Sequence, residues 1–417
     1  MADRGPEETG TPIQILAART VYAPEEIPGS ACVVVEGTRI RDIWPATTAT
    51  EARERIARLL PGVSVAISDL GAARLAPGFI DLHIHGFHGY DVNSGSAADI
   101  REMARRLPAG GTTAFYPTIA TANRQHTLDC VSSIAEATQR TSDEPMAEIA
   151  GIRLEGPFIS PVKKGAQYGA DIRRPDPVEL RELVDIGQGL VRFVDFAPEE
   201  DGAEQLLASA VRLGLIPCVG HTNATYEQTI QALDGGARHS THLFNAMSPL
   251  KHQAPGAPGA LLTDERATVE VIADGVHLAP ATLRLVLRAR SPRDVALVTD
   301  AMPAAGLPDG EYDFLHRKVI VRERAARLAN GSLAGSTLTL DLAVRNMVDS
   351  ANVAWATAIE MATLTPARIA GIDARKGRLA AGYDADIVAL DVDGRVLRAW
   401  TRGTLAYSRE HAIESMP

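Results

Sequence analysis

The fifteen residues PGFIDLHIHGFHGYD, Pro77 to Asp91, hold three histidines and two aspartates. They open on an apolar run, Phe79, Ile80, Leu82 and Ile84, that reads as a buried strand. Side chains two apart on a strand face the same way, so His83 and His85 aim two imidazoles at one point. That arrangement suits a metal ion. Further candidate donors each close a similar apolar run: Glu155 in LEGPF, His221 in GHTNA, His242 in THLFNAM and Asp300 in LVTDAM. Singly, a strand-end histidine is usually a packed or hydrogen-bonded side chain, and an acid after a strand is usually a helix cap. Together, four imidazoles and two carboxylates on one rim suit a borderline divalent metal such as zinc or iron.

These donors need a scaffold that brings strand ends to one place. Eight strand-like runs cross the middle of the chain: FIDLHIH, TTAFYPT, AEIAGIRLE, LVRFVDFAP, LIPCVGH, ARHSTHL, TVEVIAD and VALVTD. Helical patterns such as AADIREMARRL, RQHTLDCVSSIAEATQR, AEQLLASAVRLG and PATLRLVLRAR lie between them. Repeated βα units imply a parallel sheet, and eight of them imply a closed (β/α)8, TIM-like barrel over residues 76–372. Such barrels build their active sites at the C-terminal ends of the strands, where the six donors fall. The flanks, 1–75 and 373–417, have a different texture of short β runs, including IQILAARTVY, ACVVVEG and DADIVALDVDGRVLRAWTRG.

Composition narrows the function classes. The 417 residues carry a formal charge of -10, which argues against a broad nucleic-acid or anionic-membrane surface. The opening MADRGPEETG lacks the apolar core of a signal peptide, and no run of about 20 apolar residues offers a membrane span. Cys32, Cys130 and Cys218 are too scattered for a disulfide framework or a CxxC site and read as small buried residues. A reducing cytoplasm is the expected location.

The ordered motifs APGFIDLHIHG, LEGPFISPVKKGA, GHTNATYEQ, THLFNAMSPL, IADGVHL, LVTDAMPAAG and LAGSTLTLDLAV resemble the amidohydrolase superfamily, and within it the N-acetylglucosamine-6-phosphate deacetylases. The closing TLTPARIAGI and KGRLAAGYDADIVALD extend the resemblance over nearly the whole chain. It implies that the two flanks join into one small β-sandwich beside the barrel. It implies one or two divalent ions, zinc first, with iron or manganese as alternatives. His83, His85, Glu155 and Asp300 would surround one ion, and Glu155, His221 and His242 the other, with Glu155 bridging. Asp300 would be the catalytic acid–base. The substrate, a small amino sugar, would be held by Gln167, Asn245, Ala246, Gln253 and His277, under a covering loop from Leu333 to Ser336. A homodimer with a shared active site is implied as well.

Two positions depart from the family pattern, and both concern substrate. Where relatives often have an arginine that reaches the phosphate in a neighbouring subunit, this chain has Gln253, and a neutral amide cannot replace a guanidinium fork. Lys251, His252 or His277 are candidates to compensate. Where many relatives have a histidine that touches the substrate carbonyl, this chain has Gln167. The expected activity is therefore deacetylation of N-acetylglucosamine-6-phosphate. The alternative is an amidohydrolase for another N-acyl substrate, such as an unphosphorylated amino sugar. A non-catalytic binding relative fits less well, because the donor set is intact. A cyclic-amide hydrolase would want a bridging lysine on strand 4, and LVRFVDFAP offers none.

Overall fold

The computed structural model describes residues 11–23, 25–139 and 144–410; the expected domain ends 1–10 and 411–417 lie outside them. Eight parallel strands form a barrel. They are Phe79–Ile84, Thr112–Ala120, Ile152–Glu155, Val191–Phe196, Ile216–Val219, His239–Ser240, Thr268–Ile272 and Val295–Val298, in agreement with all eight runs read from the sequence. Each pairs with the next in parallel register. Strand 8 returns to strand 1 through Asp300 N–H to the His83 carbonyl at 2.9 Å and His85 N–H to the Ala301 carbonyl at 2.8 Å. Barrel strands are buried on both faces, which is why they read as nearly unbroken apolar runs.

Helices Ala97–Arg106, Arg124–Thr138, Ala203–Arg212 and Pro280–Ala289 fall where the helical patterns lie. Their starts are set by local chemistry. Ser96 and Asp99 form a capping box, and Asn123 accepts the His126 N–H, satisfying donors that a first turn leaves free.

Both flanks meet in one sandwich. A four-stranded sheet holds Ile13–Ala18, Ala31–Glu36, Arg39–Pro45 and Val65–Asp69. A six-stranded sheet joins Thr20–Tyr22, Glu26–Ile27 and Arg74–Pro77 to Ile387–Leu390, Val396–Thr401 and Thr404–Ser408. Strand alternation gives the six-stranded sheet two apolar faces. Leu75, Ile387, Ala389 and Trp400 pack in the sandwich core with Leu16, Val33 and Val35. Ala76, Val388, Leu390 and Ala399 join the barrel core. The outer face of the four-stranded sheet, with Ile13, Ile15 and Val34, is covered by Ala52 and Ile56 of helix Ala49–Leu59.

Two features fix the barrel on the sandwich. Buried Lys376 lies 2.9 Å from Glu148, just before strand 3, and 3.1 Å from Asp384, and also pairs with Asp386 beside the six-stranded sheet. Gly78 stands where sandwich strand Arg74–Pro77 passes into barrel strand 1; a Cβ there would lie 2.1 Å from the Thr113 hydroxyl oxygen.

The sequence reading did not anticipate a three-stranded antiparallel insert after strand 8, Gly310–Phe314, Arg317–Arg322 and Ala325–Leu328. It projects over the barrel mouth.

Candidate active site

Four histidines and two carboxylates do meet at the C-terminal mouth. The donor atoms of His83, His85 and Asp300 lie within 4.8 Å of one another, and so do those of Glu155, His221 and His242. Glu155 stands between the groups. One carboxylate oxygen is 3.0 Å from both His221 Nε2 and His242 Nε2 and 3.4 Å from His83 Nε2. The other is 3.1 Å from His85 Nε2. Asp300 is 3.3 Å from His85 Nε2 and 3.6 Å from His83 Nε2. The third histidine of the opening motif, His88, stays apart, its ring edge-on to Phe87.

The local backbone explains the convergence. His221, His242 and Asp300 all follow strand ends with positive φ, 45°, 26° and 48°, a conformation that turns a side chain out of the strand line and is uncommon without glycine. Gly220 lets strand 5 approach strand 6 closely, since a Cβ there would lie 2.3 Å from the Thr241 Cβ. Asp300 is pinned by its own peptide groups: its carbonyl accepts from Ser336 N–H at 2.7 Å while its N–H binds strand 1.

The donor set fits a divalent cation. His83 Nδ1 is 2.7 Å from Glu270, His85 Nδ1 is 2.9 Å from the Thr118 carbonyl, and His221 Nδ1 is 2.9 Å from the Lys163 carbonyl. Each contact leaves Nε2 facing the cluster, the arrangement found behind metal-ligating histidines. The Nε2 atoms of His83 and His85 are 3.2 Å apart, and those of His221 and His242 are 3.1 Å apart. Tetrahedral Zn–N bonds of about 2.0–2.1 Å put neighbouring nitrogens roughly 3.3 Å apart.

Electrostatics agree. Burial alone would raise the Glu155 carboxyl, but His83, His85 and His221 hold it well below the usual range. Burial would lower His85, yet Glu155 and Asp300 push it up to about 9. The carboxylates draw positive charge into this pocket.

A layer beneath the donors escaped the sequence reading. Arg153 is fully buried and donates to Asp195 at 3.1 Å and to Glu270 at 2.6 Å. Glu270 faces His83 and lies 3.0 Å from His239 Nε2. The available signal was charge inside strands whose two faces are both buried: Arg153 in IRLE, Asp195 in RFVDF and Glu270 in TVEVI.

Above the donors lies a cavity of about 210 Å³. Five of the six expected substrate residues line it: Gln167, Asn245, Ala246, His277 and Leu333. Asp274 orients His277, with its carboxylate 2.6 Å from Nδ1 and accepting the His277 backbone N–H at 2.7 Å. Gln167 is committed on both ends: its oxygen accepts Thr121 N–H at 2.7 Å, and its amide nitrogen donates to Glu155 at 2.5 Å. Its first contact is thus with the central carboxylate. Gln253 does not line the cavity; with Lys251 and His252 it lies on an exposed loop. Of the three residues offered as compensating for it, only His277 reaches the cavity. The sequence reading missed Phe314 and Leu315, lining residues from the insert.

Comparison with known proteins gives a consistent picture. The amidohydrolase family model matches residues 74–406. The chain is 39% identical to N-acetylgalactosamine-6-phosphate deacetylase from Escherichia coli O157:H7, over 82% of this chain and 90% of that protein. It is 37% identical to N-acetylglucosamine-6-phosphate deacetylase from Bacillus subtilis, over 81% and 86%. Among solved structures, N-acetyl-D-glucosamine-6-phosphate deacetylase from Mycobacterium smegmatis superposes with a TM-score of 0.86 at 35% identity, covering 94% of this chain and 100% of that one.

Proposed function

This chain belongs to the amidohydrolase family, and from that premise we propose that it is a metal-dependent deacetylase that hydrolyses N-acetylated hexosamine 6-phosphates, N-acetylglucosamine-6-phosphate first among them. The observation that carries the reading is Glu155 standing between two groups of donors. This donor set lies on the floor of a cavity lined by Asn245, Ala246 and His277. His83, His85, Glu155 and Asp300 would hold one ion, and Glu155, His221 and His242 another. Imidazole and carboxylate donors favour zinc, with iron or manganese as alternatives. Such an ion supplies Lewis-acid polarisation of the amide carbonyl and lowers the pKa of water from 15.7 toward about 7.

The residues do the rest. Asp300 takes a proton from the attacking water as its oxygen bonds to the carbonyl carbon. The same carboxyl then gives that proton to the amine nitrogen as the C–N bond breaks, releasing acetate and the free amino sugar. His277, oriented by Asp274, presents its remaining ring nitrogen to the sugar end, and Asn245 adds an amide. Arg153 and Glu270 keep His83 aimed. We propose further a homodimer with a shared active site, in which the loop of Gln253, exposed in the single chain, approaches a neighbour's site. Three buried, unpaired cysteines support a cytoplasmic location, and among the described residues no helix is long and apolar enough to cross a membrane.

Two measurements test this reading. Purified protein should carry one or two divalent ions per chain, and His221→Ala with His242→Ala should lose at least one by elemental analysis; unchanged metal content would refute the donor assignment. Acetate release should be compared for the 6-phosphates of N-acetylglucosamine and N-acetylgalactosamine and for the unphosphorylated sugars. The relatives divide over the epimer. A charged hydrogen bond is worth about 1.5–3 kcal/mol, so a phosphate held by His277 should favour the phosphorylated sugars by roughly tenfold or more. Gln253→Arg should then add little. Equal turnover of both sugar classes by the wild type, with a phosphate-selective gain in Gln253→Arg, would favour the unphosphorylated substrate.

A further inference from the structure

The catalytic cavity ends on an apolar wall. On the side of strands 1 and 2, across the barrel mouth from the strand 6 loop with Asn245 and Ala246, its boundary is the tip of the insert, Phe314 and Leu315. The Phe314 ring stands 5.7 Å from that of His85. Behind the wall is a second cavity of about 510 Å³, bounded by the same Phe314 and Leu315 together with Asn93, Thr121, His126 and Tyr168. The two spaces are thus divided by a hairpin tip two residues wide.

That tip is firmly placed. Phe314 pairs with Arg317, so Leu315 and His316 form a two-residue turn, with φ of 50° and 59°. Turns of this kind ordinarily take Asn and Gly. A leucine held there against its preference is fixed by its surroundings, and Leu315 is buried in a cluster with Ala120, Met302 and Ala304.

The inference rests on the deacetylase reading. The amide carbon has two substituents, the nitrogen that carries the sugar and the acyl chain. With the sugar at Asn245 and His277 and the reacting carbon above Glu155 and Asp300, the acyl chain points toward strands 1 and 2. A methyl there meets the apolar faces of Phe314 and Leu315, and a longer chain meets Leu315 itself. We propose that Leu315 sets the acyl-length limit of this enzyme, and that the cavity behind it is a latent subsite for longer N-acyl groups.

The test compares kcat/KM for N-acetyl- and N-butyrylglucosamine 6-phosphate in the wild type, Leu315→Gly and Leu315→Met. Glycine suits the positive φ, so the turn is retained while the Leu315 side chain is removed from the wall and Phe314 stays. Each methylene withdrawn from water is worth about fourfold, so the butyryl-to-acetyl ratio should rise at least about tenfold in Leu315→Gly. Methionine refills the space, and its ratio should stay within about threefold of wild type. Because the ratio is internal to each protein, a partly unfolded preparation does not distort it. An unchanged ratio in Leu315→Gly with acetate release retained would overturn the proposal, as would a wild type that accepts butyryl and acetyl groups equally. If no form releases acetate from either acetylated hexosamine 6-phosphate, the deacetylase reading itself fails, and the acyl limit falls with it.

Discussion

Asp300→Asn is expected to lower kcat by at least about 10²-fold, the low end of what a positioned acid–base contributes, while the protein stays folded. The two halves of this expectation have separate grounds. Asparagine matches aspartate in size, and both accept the left-handed backbone better than other side chains, so a residue at φ 48° is not strained by the exchange. The peptide contacts that fix residue 300, to His83 and Ser336, do not involve the side chain. What is lost is the proton acceptor, and an amide cannot take a proton from water at neutral pH. The measurement is steady-state kcat beside a thermal melt of the same preparation. Near-normal turnover in folded Asp300→Asn would show that another group moves the proton.

The largest loss of stability is expected from Arg153→Met, about 3–5 kcal/mol. Arg153, Asp195 and Glu270 are all fully buried, and the guanidinium serves both carboxylates while also donating to the Thr241 hydroxyl at 3.1 Å. Removing it leaves two fully buried acids without the cation they share. Burial would raise the Glu270 carboxyl, and Arg153 leads the groups that hold it well below its usual range. Without Arg153, Glu270 must take up a proton or stay charged at high cost, and either outcome weakens the fold. Net stabilities of about 5–15 kcal/mol leave little margin for such a loss. Arg153→Lys should recover only part of it, because an ammonium lacks the fork that reaches both acids. Urea denaturation of the three proteins tests this; a loss below about 1 kcal/mol for Arg153→Met would mean that the acids neutralise cheaply.

The donors were legible in the sequence because each ends an apolar run, and in a parallel barrel the run's end fixes its place. His83, Glu155, His221, His242 and Asp300 needed only the strand count to be set on one rim. The layer below was not legible in that way. Arg153 and Glu270 sit within strands, and a charge inside a short run reads as an outward-facing residue until closure turns both toward the axis. The insert was hidden for another reason. Its tip, Leu315–His316, carries none of the Asn-Gly chemistry that marks a two-residue hairpin, so DFLHRKVIVR gives no turn signal. Gln167 shows a third limit: the family resemblance placed it at the substrate and it does line the cavity, but its contact with Glu155, set by the Thr121 N–H that orients the amide, had no signal in the sequence.

The six-stranded sheet has a consequence in time. Strand Arg74–Pro77 pairs with Ile387–Leu390, so a piece made early waits for one made late. At about 5–20 residues per second, the roughly 300 residues between them take about 15–60 s to synthesise. Through that interval Leu75 and Ala76, which end up facing two different cores, lie on a strand with one edge open, a ready template for a neighbouring nascent chain. Pairings this distant in sequence are also slow to form. The barrel that carries the candidate donors lies between the two partners in the chain and is synthesised before the sheet can close, so a ribosome stalled after residue 372 would hold the whole donor set beside an unfinished sheet.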